Sequence, residues 1–580
     1  MSDVAGSGAR TGATSTGAAH TGATSTGAAR SGFPSGWAVL RAELGRSRRT
    51  FTWWVGAVVV LFGLHALLVA QGTGTATGWN GGVMAWLSLY PDAFALPIGA
   101  LVGAMAQWRE VRHRAGGTAW RAVRPSQVLG GRVVVLAASA LVCQVMLLAP
   151  VVGSALLRGA GWGPWHDWFA FGVVMWVHVT AAGVWGMALV RWVGGAAVGL
   201  APAAAMVWSV AGSVRAESAT WWAEPWTWAV RPTLPLLGVH GNGVGLEPGS
   251  PVWDYPVWPG VLLGLLTGVL GVAAAALGQR LRGAGGFSAA APTSGAGLRN
   301  RTAPTARAVT GAPAVGPARQ PLATVTAPTV QAPAPPPSTS RQPRATVTVP
   351  TAPARRRSLL AAMALTLPWG LWAGLAVLLT ALLGVTRTVY TGGYALGLLA
   401  LVGVPAAACV VGIISWTAQA AAWRSLVLRA RPVELTGALA ALMGLFLLPV
   451  LVTDWAVAGW GAPLTHTEPG AGAFSSAVYA LLVLPFVALM VAAVSHALAR
   501  CAGTVVAIVV AVAGLLEGVL VGGNDILSRS FLWLAAPWAW VQVAAQYPQR
   551  WPVVALLSLV IALASLGLAA GLGRRVALRD

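Results

Sequence analysis

Long apolar runs separated by short polar ones organise this chain. A helix needs about 20 consecutive apolar residues to cross the hydrocarbon of a bilayer. Six stretches in the first half approach that length, at about 51–70, 88–107, 133–157, 168–190, 195–213 and 259–279. Six more follow, at about 359–385, 394–416, 435–453, 474–498, 503–521 and 552–573. The pattern predicts an all-α polytopic membrane protein with twelve transmembrane helices. Composition supports the class: only 9% of the 580 residues are charged and 56% are apolar, against about 25% charged in a soluble domain.

Charge adds orientation. All 37 basic residues are arginine. With the N-terminus on the cytoplasmic side, 31 of the 37 fall in cytoplasmic segments, as the positive-inside rule requires. The outer segments hold nine of the 15 acids, including Asp92, Asp167, Glu217 and Asp454. A span gained or lost would invert the parity and erase this bias. The expected placement is therefore the cell membrane, multi-pass, with both termini cytoplasmic.

Two segments lack apolar content. Residues 1–36 contain TGATSTGAAH followed by TGATSTGAAR, with no apolar core of a signal peptide, and are expected to be a disordered tail. Residues 283–357 are rich in Pro, Ala and Thr, hold no acid, and end in Arg355-Arg356-Arg357. They are expected to form a disordered cytoplasmic linker between a first six-span half, 37–282, and a second, 358–580.

Three landmarks recur in order across the two halves. Arg124-Pro125 returns as Arg431-Pro432, Ala188 to Arg191 as Ala497 to Arg500, and Pro225-Trp226-Thr227-Trp228 as Pro537-Trp538-Ala539-Trp540. The offsets are 307, 309 and 312 residues. Two parallel six-helix repeats, related by an axis along the membrane normal, account for them.

Several chemistries drop out. A phosphate-binding loop needs a lysine on the nucleotide phosphates, and the chain has none. The arginines fall mostly at membrane edges, whereas a nucleic-acid surface needs them clustered on one soluble face. Cys143, Cys409 and Cys501 lack the spacing of a disulfide framework or a zinc site. His240, His466 and the acids Glu217, Glu224, Glu247 and Asp454 are scattered in outer loops, without the clustering of a metal or glycosyltransferase site.

The residues that suggest function flank the second span of each half. In the first half these are Trp108, Arg109, Glu110, Arg112, Arg121 and Arg124; in the second they are Trp423, Arg424, Arg429 and Arg431. Trp423, Leu426, Val427 and Ala430 share one helical face, with the arginines around it, as in an amphipathic helix at the cytoplasmic surface. A similar helix precedes the first span, where Trp37, Leu40 and Leu44 align and Arg41, Glu43, Arg46, Arg48 and Arg49 surround them.

A basic entry helix bearing a Glu, two spans, an Arg/Glu-rich loop ending at Pro, and a long outer loop before the last span resemble an ABC-type export permease. The likeness covers both halves. It implies six spans per permease unit and coupling helices at about 108–124 and 419–432, resting on a cytoplasmic ABC ATPase, normally a dimer. It also implies short re-entrant outer elements around 221–228 and 533–540. ATP and Mg would be bound by that partner, with no cofactor and no catalytic residue on this chain. Such permeases export drugs, peptides, lipids or glycan carriers. The second half departs from the pattern, entering through Arg355-Arg356-Arg357-Ser358 with no counterpart of Glu43.

The alternative is a secondary carrier of the major facilitator type, driven by an ion gradient through an intramembrane carboxylate. Glu517 lies inside a predicted span, and Gln144, His178 and His65 are the other polar candidates for a pathway. The carrier signature G-x-x-x-D-R-x-G-R is absent, since the loop 108–132 contains no aspartate.

Overall fold

The computed structural model describes residues 35–112 apart from 49 and 77, then 123–284, scattered positions between 359 and 397, 399–460 and 472–579. The expected tail and linker, Arg121 and most of the first stretch of the second half therefore lie outside the described residues. Among those described, the chain is helical with no strand. Ten segments are long and apolar enough to cross a membrane.

The first half begins with α1 (Gly36–Ser47) and α2 (Phe51–Gly72), followed by α3 (Ala95–Arg112), α4 (Pro125–Leu157), α5 (Trp165–Val193), α6 (Ala197–Arg215) and α7 (Trp258–Ala284). The second contains α8 (Val404–Gln419), a short α9 (Trp423–Arg429), α10 (Pro432–Trp460), α11 (Gly472–Cys501), α12 (Thr504–Gly522), a short α13 (Trp540–Gln546) and α14 (Trp551–Arg579). Apolar helices of this length satisfy their own backbone hydrogen bonds, the condition for crossing lipid.

The stretch Trp165–Arg215 is apolar over 51 residues, far more than one span needs. It is cut at Gly194, whose φ of +75° is open only to glycine without strain. There the chain reverses, so α5 and α6 pack on each other and both on α3. Gly503, with φ +98°, makes the same break between α11 and α12. The two glycines are 309 residues apart.

Tight helix crossings recur at the same offset. A side chain on Gly103 of α3 would run into the backbone of Gly183 on α5, and one on Gly412 of α8 into that of Ala492 on α11. From 103 to 412 and from 183 to 492 is again 309 residues. In lipid, helices associate through such close approach, because no hydrophobic drive separates tail from side chain. The pairings match as well: α3 with α5, α5 with α7 and α4 with α5 in the first half, α8 with α11, α11 with α14 and α10 with α11 in the second. The halves meet where α12 packs on α2.

The α5–α7 contact has a further tie. His178, Trp185 and Trp192 meet the carbonyls of Gly260, Thr267 and Ala274 at 3.0, 3.0 and 3.2 Å. Seven residues separate successive rungs on both helices, the step at which two left-handed supercoiled helices keep the same faces together.

The entry helix α1 differs from the expected orientation. Val39, Glu43 and Ser47 face inward, whereas Trp37 is 69% exposed and Leu40 and Leu44 are half-buried. Glu43 turns the helix: its side chain packs over Gly131 of α4, where no Cβ intervenes. The apolar stripe is thereby left facing outward, as for a helix lying in an interface.

Candidate functional site

A cavity of 990 Å³ lies between the halves, bounded by α3 and α6 on one side and by α8, α10 and the start of α12 on the other. Its walls are apolar: Phe94, Leu101 and Met206 face Ile414, Phe446 and Ile508. Its polar members are few. Thr50 and Arg109 lie beside Arg46, while Thr417 follows Trp416 and Thr504 lies four residues after Arg500. Among the described residues the lining contains no acid, and Arg109 is its only charged member.

In the first half the arginine-bearing end holds a charge network. Glu43 pairs with Arg46 at 2.8 Å and with Arg132 at 3.7 Å. Glu110 pairs with Arg46 at 3.2 Å and with Arg132 at 2.8 Å. Gln107 accepts from Arg132 at 2.9 Å and from Arg191 at 3.4 Å, and Arg191 also donates to the Ala275 carbonyl at 2.7 Å. The network thus joins α1, α3, α4, α5 and α7. Glu43 and Arg132 are only 3% and 5% exposed, and charges so buried persist only when paired and hydrogen-bonded.

In the second half the corresponding end has aromatic chemistry. Arg500, 309 residues after Arg191, places its guanidinium 5.1 Å from the Trp416 ring and 5.2 Å from Trp423. The two indoles meet edge to face at 5.4 Å, and His496 packs 5.8 Å from Trp423 while bonding Ser415 at 2.9 Å. Cation–π contact replaces ion pairing here.

Each residue marked in the sequence can now be placed. Trp108 sits in the last turn of α3 against Gly195 and lines the cavity. Arg109 lines it too, donating to the Arg46 carbonyl at 3.3 Å. Glu110 is inside the charge network. Arg112 ends α3, Arg121 lies outside the described residues, and Arg124 stands exposed just before α4. The expected coupling segment 108–124 thus begins as the end of a membrane helix, and its positions 113–122 are outside the described residues. The second segment contains the expected short helix. In α9, Trp423 and Val427 are buried and Leu426 is half-buried, followed by buried Ala430, while Arg424 and Arg429 are exposed, as is Arg431 beyond it.

The pathway candidates fall elsewhere. Gln144 is buried on α4, donating to the Tyr90 hydroxyl at 3.3 Å. His178 is a rung of the α5–α7 ladder. Glu517 is half-buried on α12. None of the three lines the central cavity. Sequence inspection missed Arg46, Gln107, Arg132 and Arg191 as members of one cluster. Arg132 and Arg191 gave the signal, each a charge at the edge of an apolar stretch.

At the opposite end, 3-10 turns occupy 221–227 and 531–539. Gly212 of α6 lies under the backbone of Trp226, and Gly514 and Gly518 of α12 lie under Trp538. Each turn has an arginine clasp. Arg231 lies over Trp221 and Tyr255 and donates to the Ala216 carbonyl at 2.6 Å. Arg550 lies over Trp533 and Tyr547 and donates to the Ser528 carbonyl at 2.6 Å. Acceptors and tryptophans keep one offset, 216 to 528 and 221 to 533, yet the arginines come from unmatched positions.

The first outer loop holds two ionised clusters. Glu224 accepts from Arg215, Thr220, Ser218 and Trp226, and the Arg215 hydrogen bond leads in lowering its carboxyl to about 2. His240 lies between Glu247 and Glu217, at 3.1 Å from each, and hydrogen bonding to Glu247 leads in raising its pKa. Among the described residues, no group of three or more His, Cys, Asp and Glu side chains could hold a metal.

No protein-family model matches the chain, and no curated protein matches its sequence.

Proposed function

We propose that this chain is the membrane subunit of an ABC-type exporter, with two parallel six-span permease halves in one polypeptide spanning the cell membrane twelve times. Both termini and the arginine-bearing end face the cytoplasm. A separate ATPase docks there, binds ATP and Mg, and drives alternating access of the central cavity.

The observation that carries this proposal is α9. Its apolar face is turned into the bundle, so its arginines are presented outward from a fixed backbone. Arg424, Arg429 and Arg431 form no ion pair with any described acid. A rigid cationic helix at the membrane edge suits an acidic groove on a partner, where complementary charge speeds and orients docking. The recurrence of Gly103–Gly183 as Gly412–Ala492, and of the Gly194 break at Gly503, supports two repeats. The cavity between those repeats is where a pseudo-twofold pathway would run.

A gradient-driven carrier would need a titrating group in contact with its pathway. Glu517 is away from the cavity lining, which favours a partner ATPase as the energy source.

Purification from native membranes tests the proposal. A P-loop ATPase is expected to co-purify, and vesicles containing the complex should transport only with ATP. A chain that purifies alone and transports under a proton gradient would establish the carrier instead.

A further inference from the structure

We propose that the central cavity binds a lipophilic anion, an elongated apolar molecule with one acidic end, and that Arg109 receives the acid. The proposal names the substrate class of the permease described above and rests on that assignment for its transport role. The binding itself follows from the cavity.

Shape comes first. From Pro97 to Arg109 the wall follows α3 for twelve residues, about 18 Å at the helical rise. Along that length the facing groups are apolar, and the polar ones gather at the arginine-bearing end. A ligand filling 990 Å³ of such space would gain mainly from burying apolar surface.

Charge then selects among apolar ligands. Around Arg109 stand the guanidiniums of Arg46 and Arg132, against the carboxylates of Glu43 and Glu110. Those carboxylates are held by Arg46 and Arg132. Arg109 forms no ion pair with any described acid; its guanidinium donates to a carbonyl. Three positive groups and two negative ones among the described residues leave an excess of one positive charge at the arginine-bearing end of an apolar chamber. In so weakly polar a place an acidic head group is attracted strongly, whereas an ammonium head group is repelled. A carboxylate, sulfonate or phosphate head would each serve.

Full-length protein in phosphatidylcholine nanodiscs, with tritiated palmitate as probe and empty nanodiscs subtracted, tests the assignment. Palmitate should compete about tenfold better than hexadecanol, the equivalent of one charge-assisted contact, and hexadecyltrimethylammonium should not compete. Arg109→Gln should remove the preference for palmitate over hexadecanol, and Arg109→Lys should restore most of it. Met206→Trp, which narrows the chamber, should weaken binding of both. Added phosphatidic acid that displaces palmitate would identify a phospholipid source, and its failure to compete would favour single-chain acids.

Equal competition by the ammonium compound, an unchanged preference in Arg109→Gln, or full binding in a folded Met206→Trp protein would overturn the assignment. No ATPase takes part in the assay. A negative result would therefore remove the ligand and leave the exporter proposal intact, while a missing ATPase partner would leave palmitate binding measurable.

Discussion

The arginine-bearing ends of the two halves share a helical frame and differ in chemistry. In the first, α1 brings Glu43 onto Arg132, and five helices are tied by buried ion pairs and hydrogen bonds. In the second, the position matching Arg191 is Arg500, which stacks on Trp416 and Trp423. Gln107, the acceptor at the centre of the first network, is replaced at the 309-residue offset by Trp416. The difference separates two tasks. A buried charge network fixes geometry but leaves few of its charges for a partner. An aromatic stack fixes α9 through its apolar face and leaves Arg424, Arg429 and Arg431 outside.

Breaking the first network should have the largest effect. Glu43→Gln leaves Arg132 buried with Glu110 as its remaining carboxylate, so the cost should approach but not reach the about 3–5 kcal/mol of stranding a buried charge outright. The thermal unfolding midpoint of the purified protein should fall accordingly. The double variant Glu43→Leu/Arg132→Met should lose less than the sum of its parts. Additive losses would show that the two side chains do not interact.

The stack should be less sensitive. Arg500→Met keeps the apolar stem and loses the cation, at about 0.5–2 kcal/mol. The same unfolding assay should record a smaller shift than for Glu43→Gln. A larger one would reverse the ranking of the two ends.

Smaller still should be the ladder between α5 and α7, which has no match in the second half: His178 and Trp185 correspond at offset 309 to Val487 and Val494. Trp185→Phe removes one interhelical hydrogen bond and should cost about 0.6 kcal/mol, a typical value within membranes. His178→Leu should leave ligand binding unchanged. A loss of palmitate affinity in that variant would return His178 to the pathway.

These contrasts show what could be seen along the chain and what could not. The face of α9 was legible, because alternation of Trp423, Leu426, Val427 and Ala430 with arginines has only one helical solution. So was the offset of about 309, although Gly194 and Gly503 mark it more sharply than the motifs do. Glu43 and Arg132 were not legible as partners. They are 89 residues apart, and only the packing of α1 on α4 brings them together. Arg109 had the look of a loop charge, because α3 continues to Arg112, several residues beyond its apolar stretch. The cavity was invisible for a different reason: its walls come from both halves, and no local pattern records which side of a uniformly apolar helix meets another. His178 and Gln144 lie off the cavity lining on the same ground, since each is turned toward a neighbouring element.

The outer loop offers a weaker, pH-dependent contrast between two clusters. The pKa of His240 is raised in the folded loop. Its contribution is therefore complete below about 6.5, the unfolded histidine value, and is lost as pH rises through the higher folded value. Glu224 is opposite in sign. Its folded value near 2 means that its contribution is present above the ordinary carboxylate range and is lost as pH falls toward 2. Hydrogen exchange of residues 239–247, corrected for intrinsic rates, should lose protection between pH 6.5 and 8, and His240→Gln should flatten that change. Residues 218–227 should keep their protection over the same interval.

The most direct test is a matched charge reversal at the two ends. One variant has Arg424, Arg429 and Arg431 replaced by Glu, the other Arg112, Arg121 and Arg124. Each is purified from native membranes, and the co-purifying ATPase is quantified against the unaltered chain. The exporter assignment, with α9 as the principal docking element, predicts that the second-half reversal removes most of the ATPase and that the first-half reversal retains the larger share. Full retention of the ATPase in the second-half variant, or no ATPase with the unaltered chain, would contradict it.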